Sequence, residues 1–125
     1  MSTKRHILAV TGGLLAGALG AGAVQAQSAA PGYVIIEFKV KDAEGFRSYV
    51  QQAPATIAQY GGKFTIRPGK AEVLKGDAPG PFAVVSFGSV EQAKKWASSP
   101  EYTALVPLRD KTADTRVFIV EGVAP

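Results

Sequence analysis

The chain has 125 residues, with 14 Lys and Arg against 10 Asp and Glu, and a formal net charge of +4. It has no Cys, and its single His and single Met are His6 and Met1. The rest of the chain therefore excludes disulfides, thiol or imidazole nucleophiles, ordinary zinc sites, and haem held by His, Cys or Met.

The N-terminal segment has the pattern of an export signal. Lys4 and Arg5 precede a glycine-rich and alanine-rich apolar run from Ile7 to Val24, and Ala26 closes a small-residue cleavage site. A membrane anchor is the alternative, since about 20 apolar residues span a bilayer. The glycines and the small-residue exit favour cleavage. We therefore expect residues 1–26 to be a signal peptide that directs the protein to the periplasm or the exterior by the Sec or the twin-arginine route, without stable membrane insertion afterwards.

Cleavage would leave 99 residues, enough for one domain. We expect a flexible leader over 27–32 and a single domain over 33–123. Without Lys4 and Arg5, 12 basic residues face 10 acidic ones, a net charge of about +2. Because the two signs are interspersed, no basic stripe of the kind that follows phosphates is present. Nucleic acid is not an expected partner.

The first half of the domain reads as strand, helix, strand. Residues 33–40 alternate and are rich in β-branched and aromatic side chains, which predicts a strand. Asp42 suits the N-cap of a helix over 43–60, with an apolar stripe at spacings of three and four. Pro54 predicts a kink or a break in that helix. Gly61 and Gly62 predict its end, since glycine adopts the left-handed conformation freely.

The second half reads as strand, strand, split helix, strand. Residues 63–67 predict a second strand, which 71–74 could extend as a bent arm, and 82–87 a third. Ser89 and Gln92 fit a capping box, and Ser99-Pro100-Glu101 fits the restart of a helix. Residues 116–121 predict the last strand. The order β-α-β-β-α-β indicates an α+β, ferredoxin-like fold, an antiparallel four-stranded sheet with both helices on one face.

The helix-free sheet face mixes apolar and charged side chains. Strict alternation places the following residues on it: Ile35, Glu37, Lys39, Lys63, Thr65, Arg67, and either Val84 and Ser86 or their neighbours. A face left in water should be more polar than this. We therefore expect a homodimer joined through this face.

These motifs resemble the domain of unknown function 1330 family within the dimeric α/β-barrel superfamily. The residues that carry the resemblance span 32–123 and include Tyr60-Gly61-Gly62-Lys63, Arg67, Trp96, Ser99-Pro100-Glu101-Tyr102 and Arg109. The resemblance implies a dimeric barrel with a pocket between each sheet and its helices or partner. It implies no particular activity.

Glu37, Arg67 and Tyr49 are the candidate catalytic residues. Glu37 and Arg67 fall on the helix-free face, where a carboxylate and a guanidinium could polarise a carbonyl or hold an oxyanion. A structural ion pair or an exposed Arg is the more common arrangement. The Tyr49 hydroxyl could act as an acid or a base, although core tyrosines with one satisfied hydroxyl are more frequent.

Trp96, Tyr102 and Arg109 complete the candidate ligand-binding set, together with Glu37 and Arg67. Trp96 and Tyr102 flank the helix break, so they could wall an apolar pocket or pack on the sheet. Arg109 could pair with Glu101, cap carbonyls or anchor an anionic ligand.

Two functions of different classes remain open. One is an exported module that binds a small molecule in a barrel pocket. The other is a cofactor-independent isomerase, cyclase or oxygenase acting on a small aromatic or keto acid. No cofactor and no metal is expected in either case.

Overall fold

The helices and strands follow one another in the order that the sequence predicts. The computed structural model describes residues 29–69 and 71–125, so the predicted signal peptide and the first leader residues lie outside the described residues. The described elements are β1 (Gly32–Val40), α1 (Ala43–Gln59), β2 (Lys63–Ile66), β3 (Phe82–Phe87), α2 (Val90–Ala97), α3 (Pro100–Thr103), α4 (Val106–Thr112) and β4 (Ala113–Glu121). They belong to one unit, Ala30–Val123.

The four strands form one antiparallel sheet in the order β2-β3-β1-β4. This is the predicted ferredoxin-like arrangement, in which two β-α-β units interlock so that β1 and β3 lie at the centre. Strand β4 begins at Ala113, three residues earlier than predicted, because residues 113–115 pair with 38–40 of β1. Cross-strand pairing thus places Ala113 and Asp114, two residues of low strand propensity, in the sheet.

Both ends of α1 have the capping that the sequence predicts. The Asp42 side chain accepts a hydrogen bond from the Gly45 N–H at 3.1 Å and so occupies the N-cap. At the other end Gly61 is left-handed, with φ of 81°, and the Gly62 N–H donates to the Ile57 carbonyl at 2.9 Å. These bonds form a Schellman-type end that turns the chain into β2.

Helix α1 continues through Pro54, so of the predicted kink or break, the break does not occur. Apolar residues on both sides of the proline hold the two halves against the core: Phe46 and Tyr49 before it, Ala53 and Ile57 around it. Burial of these side chains outweighs the cost of about 3 kcal/mol for an internal proline.

The split second helix is confirmed. Ser89 caps α2 by accepting from the Gln92 N–H, and Ser99 caps α3 by accepting from the Tyr102 N–H, both at 3.1 Å. The Gln92 side chain does not return to Ser89 as a capping box would. It donates to the Tyr60 carbonyl at 2.7 Å and so ties α2 to the end of α1.

The core lies between the sheet and the helices. Trp96 and Val34 are fully buried in it, and Val85 of β3 lies beside Val34 across the sheet. Strands β1 and β3 alternate between buried and half-buried residues, which leaves one sheet face without helices. Residues 71–74 are exposed and form no strand, so the predicted extension of β2 is wrong. Among the described helices, none is both long and apolar enough to cross a membrane.

Candidate functional site

A cleft opens between α1 and the sheet. Its volume is about 120 Å³, and four aromatic side chains, Phe38, Phe46, Tyr49 and Phe64, contribute to its wall. Arg67 is the one charged residue in its lining. An apolar cavity of roughly 150 Å³ holds one benzene molecule, so this smaller cleft can enclose at most one ring.

An irregularity in β2 places Arg67 at this cleft. Phe64 pairs with Val85, whereas Ile66 pairs with Val84, so the register shifts between Phe64 and Ile66. The extra residue reverses the alternation that follows it. Arg67 therefore lies on the helix side, with its guanidinium carbon 4.7 Å from the centre of the Phe64 ring. The prediction that Arg67 faces the helix-free side is wrong for this reason.

Glu37 and Arg67 are not brought together. Glu37 lies on the helix-free side and accepts two hydrogen bonds from Arg116, from Nε at 2.7 Å and from Nη2 at 3.1 Å. The register of β1 and β4 places the two residues directly opposite each other. The sequence reasoning missed Arg116, because a cross-strand partner can be identified only once the register is known.

This ion pair determines the chemistry available to Glu37. The hydrogen bond from Arg116 lowers the pKa of the Glu37 carboxyl, so the group is ionised at neutral pH. A general base is most effective when its pKa lies near the working pH. Glu37, half-exposed in a shallow basin of about 380 Å³, is therefore a poor candidate for proton abstraction.

Tyr49 is the cleft residue with a buried polar group. Its hydroxyl is hydrogen-bonded to the Tyr102 hydroxyl at 2.8 Å, and Arg109 Nη1 donates to the same Tyr102 oxygen at 3.0 Å. Burial raises the pKa of Tyr49 far above its usual value, so the phenol stays protonated. Asp110 accepts from Arg109 Nε at 3.0 Å. These hydrogen bonds form a relay of four residues, Tyr49, Tyr102, Arg109 and Asp110, which ends at the surface.

Trp96, Tyr102 and Arg109 do not line the cleft. The Trp96 indole N–H donates to the Thr56 hydroxyl at 3.0 Å, and the Trp96 ring packs 4.1 Å from that of Tyr102 between centroids. Arg109 donates hydrogen bonds to Tyr102 and Asp110 and forms no ion pair with Glu101. Trp96 and Tyr102 are therefore packed in the core and do not wall this cleft.

Glu101 is held by α1 instead. The Tyr60 hydroxyl donates to it at 2.7 Å and the Gln59 amide at 3.2 Å. The hydrogen bond from Tyr60 lowers the pKa of the Glu101 carboxyl. Across residues 29–69 and 71–125, no group of three or more acidic, His or Cys side chains could hold a metal ion.

The helix-free sheet face carries an apolar row across all four strands. Phe118, Ile35, Val84 and Ile66 are successive cross-strand neighbours from β4 to β2. Phe118 and Ile66 are 38% and 48% exposed, and Val120, two residues beyond Phe118 on β4, is 43% exposed. Adjacent exposed apolar side chains of this kind are typical of a surface that a partner covers.

Comparison with known proteins identifies a family and a fold. The family model for a domain of unknown function, DUF1330, matches residues 31–123. No curated protein sequence matches the chain.

Solved structures share the fold at low sequence identity. RPA0582, a protein of unknown function from Rhodopseudomonas palustris, is 18% identical with a TM-score of 0.61, over 82% of this chain and 94% of that one. SnoaB, a cofactor-independent oxygenase from Streptomyces nogalater, is 12% identical with a TM-score of 0.54, over 78% and 97%. A conserved protein from Methanosarcina mazei Go1 is 16% identical with a TM-score of 0.51, over 79% and 99%.

Proposed function

We propose that this chain, which belongs to the DUF1330 family, binds a small aromatic carboxylic acid in the cleft between α1 and the sheet. The observation that carries the proposal is a ring-sized apolar cleft with one guanidinium, that of Arg67, in its lining. An aromatic ring would fill the apolar part, and its carboxylate would pair with Arg67.

The size and chemistry of the cleft support this ligand class. Pockets that bind drug-sized ligands measure roughly 300–1,000 Å³, so the 120 Å³ of this cleft limits it to a smaller ligand. Phe38, Phe46 and Phe64 offer ring faces and edges, which favour offset or edge-on packing with another ring. The guanidinium supplies paired donors that match the geometry of a carboxylate.

Binding is favoured over catalysis by the groups that line the cleft. Among the described residues in its wall, no carboxylate or imidazole is present. Tyr49 is the one titratable hydroxyl there, and its raised pKa keeps it neutral. A bound acid would therefore meet a cation and apolar surface and no evident base.

Calorimetry with benzoate tests the proposal. Arg67→Gln should weaken benzoate binding by about two- to fivefold, because Arg67 is exposed and an ion pair in contact with solvent contributes up to about 1 kcal/mol. Lys63→Gln is the matched control, because it removes the same charge from the helix-free face. Benzamide, which has no charge, should bind both variants alike. No benzoate binding to the wild type, or equal losses in the two variants, would overturn the proposal.

A cofactor-independent enzyme is the second candidate. Two observations favour it: the fold is similar to that of SnoaB, a cofactor-independent oxygenase, and the Tyr49 ring lies in the cleft wall at the end of a buried relay. Proton NMR of hydroxylated and keto acids incubated with the protein in air is the test. New product signals that disappear in Tyr49→Phe, with affinity retained, would support catalysis. Unchanged substrate signals would eliminate it.

We further propose a homodimer in which the apolar row of the helix-free face packs on its copy in a second chain. A second copy on this face would bury Ile35 and its neighbours. This supports the dimer, since each fully buried apolar side chain contributes about 1.5–3 kcal/mol. Light scattering should give twice the monomer mass at micromolar concentration. Ile35→Lys should give the monomer, whereas Val123→Lys, at a residue 91% exposed, should not. A monomeric wild type would contradict the dimer.

We also propose that the protein is exported to the periplasm or the exterior with loss of residues 1–26. The basic start, apolar run and small-residue site at Ala26 support this. Intact-mass measurement of the protein from a periplasmic extract should give a 99-residue chain that begins at Gln27. Recovery of the full-length chain in the cytoplasmic fraction alone would refute export.

A further inference from the structure

We propose that residues 71–75 of each chain form an arm that pairs, as an added strand, with the outer edge of β4 in a second copy of the chain. This inference rests on the proposed homodimer and extends its interface from the sheet face to the sheet edge. It assigns the exposed segment between β2 and β3 a role in assembly.

Strand β4 has an open outer edge. It is the last strand in the order β2-β3-β1-β4, and among the described strands β1 alone pairs with it. The Gly122 N–H donates to the Pro31 carbonyl and the Lys41 N–H to the Thr112 carbonyl, so the even-numbered residues of β4 bond to β1. The odd-numbered residues turn their main-chain groups outward. No hydrogen bond between described residues reaches these outward groups over 115–121.

This edge lacks three common protections against strand addition. Edge strands are often short, contain a proline or carry a bulge. Strand β4 has nine residues, no proline and an unbroken register with β1. An edge of this kind can accept an extended segment through main-chain hydrogen bonds.

The arm is apolar and has no pairing partner in its own chain. Its residues are Ala71-Glu72-Val73-Leu74-Lys75, between Pro68-Gly69 and Gly76, which is left-handed with φ of 86°. Turn residues on both sides of a short segment are typical of a strand, yet 71–75 form none. Leu74 is 98% exposed and Val73 is 44% exposed. Adjacent exposed apolar side chains indicate a surface that a partner covers.

The arm begins at one end of the apolar row. Ala71 lines a small pocket together with Ile66, the last residue of the row, and Phe82. If two rows pack in opposite directions, the Ile66 end of one lies over the Phe118 end of the other, which belongs to β4. Packed sheets lie about 10 Å apart and an extended chain covers about 3.3 Å per residue. Residues 67–70 are therefore long enough to cross to β4 of the second copy.

The order of charges favours antiparallel pairing. Glu72 precedes Lys75 in the arm, and Asp114 precedes Arg116 in β4. Antiparallel pairing brings each charge of the arm towards an opposite charge, whereas parallel pairing brings like charges together. Strands β2 and β4 run in opposite directions within the sheet. A two-fold axis along the strands therefore presents the arm antiparallel to β4.

Hydrogen–deuterium exchange followed by ¹⁵N NMR tests the pairing. The even-numbered amides of β4 bond to β1 and should be protected with or without the arm. With the arm in place, at least two of the odd-numbered amides over 115–121 should be protected as well. If the two copies meet through their sheet faces alone, all of these odd-numbered amides should exchange quickly.

Leu74→Asp is the decisive variant. Since Leu74 is 98% exposed in the single chain, the variant should fold, which circular dichroism checks. Each dimer loses two buried leucines, so its dissociation constant should rise at least about tenfold, and the odd-numbered amides should lose their protection. Val123→Asp is the matched control, because it makes the same kind of change at an apolar residue 91% exposed. It should alter neither measurement.

The possible results separate the arm from the homodimer. A wild-type dimer whose odd-numbered amides exchange quickly overturns the arm and leaves the homodimer standing. So does a dimer that Leu74→Asp weakens no more than Val123→Asp. Protection that persists in Leu74→Asp would mean that another strand covers the edge, which also overturns the arm. A monomeric wild type overturns both.

Discussion

The buried tyrosine pair leads to a prediction about stability in which two similar substitutions differ in cost. Tyr102 lies in the middle of the relay: its oxygen contacts the Tyr49 hydroxyl at 2.8 Å and Arg109 Nη1 at 3.0 Å. Tyr49 lies at the end of the relay. We therefore expect Tyr102→Phe to destabilise the protein more than Tyr49→Phe, although each removes one oxygen atom.

The magnitudes follow from what each variant leaves behind. Tyr49→Phe loses one neutral hydrogen bond while Tyr102 keeps its bond from Arg109, for a cost of about 1 kcal/mol. Tyr102→Phe loses a neutral and a charge-assisted bond and leaves the hydroxyl of the buried Tyr49 without a partner. Its cost should be about 2–4 kcal/mol. The double variant removes that unpaired hydroxyl and should cost no more than Tyr102→Phe alone.

Urea unfolding is the assay, with m-values compared to confirm a common denatured state. Trp96 is the single tryptophan and is fully buried, so its emission reports loss of the core. The double-mutant cycle then gives the coupling free energy of the two hydroxyls. Equal costs for the two single variants, or strict additivity in the double variant, would refute the relay as described.

Two further predictions concern the end of α1 and its contact with α3. Gly61→Ala should cost about 1–2 kcal/mol of unfolding free energy through left-handed strain alone. Gly62→Ala should cost more, since its Cβ would lie 2.5 Å from the Phe87 ring. Similar urea midpoints for the two variants would contradict this. The hydrogen bond from the Tyr60 hydroxyl lowers the pKa of Glu101. This contact therefore stabilises the fold fully at pH values above the ordinary Glu pKa of about 4.3, and its contribution to stability is lost as the pH falls through the lowered pKa. Tyr60→Phe should raise the titration midpoint of the Glu101 carboxyl in ¹³C NMR, and an unchanged midpoint would show that the hydrogen bond is unimportant.

Most of the fold could be predicted from local patterns. Asp42, Gly61, Ser89 and Ser99 act through backbone geometry and hydrogen bonds to residues at most three or four positions away. Such signals need no knowledge of the rest of the structure. For this reason the helix starts, the helix ends and the β-α-β-β-α-β order were predictable. Pro54 is the exception, because packing on both sides outweighs its local effect.

The candidate site was predicted only in part. Tyr49 and Arg67 do line the cleft, but Arg67 reaches it from the helix side, which the alternation rule assigns to other residues. Glu37 lies on the other sheet face, where Arg116 occupies both of its oxygens. The relay from Tyr49 to Asp110 joins residues more than 50 positions apart, and no spacing in the sequence indicates it.

By itself, the sequence determined which residue types are available and where each helix or strand begins, because these depend on composition and on interactions between near neighbours. Only the tertiary structure decided which groups share a site. One register shift in β2 moves Arg67 from the helix-free face to the cleft, and the β1–β4 register gives Glu37 its partner. Register is a property of paired strands, set by hydrogen bonds between residues distant in sequence, so a single strand does not contain it.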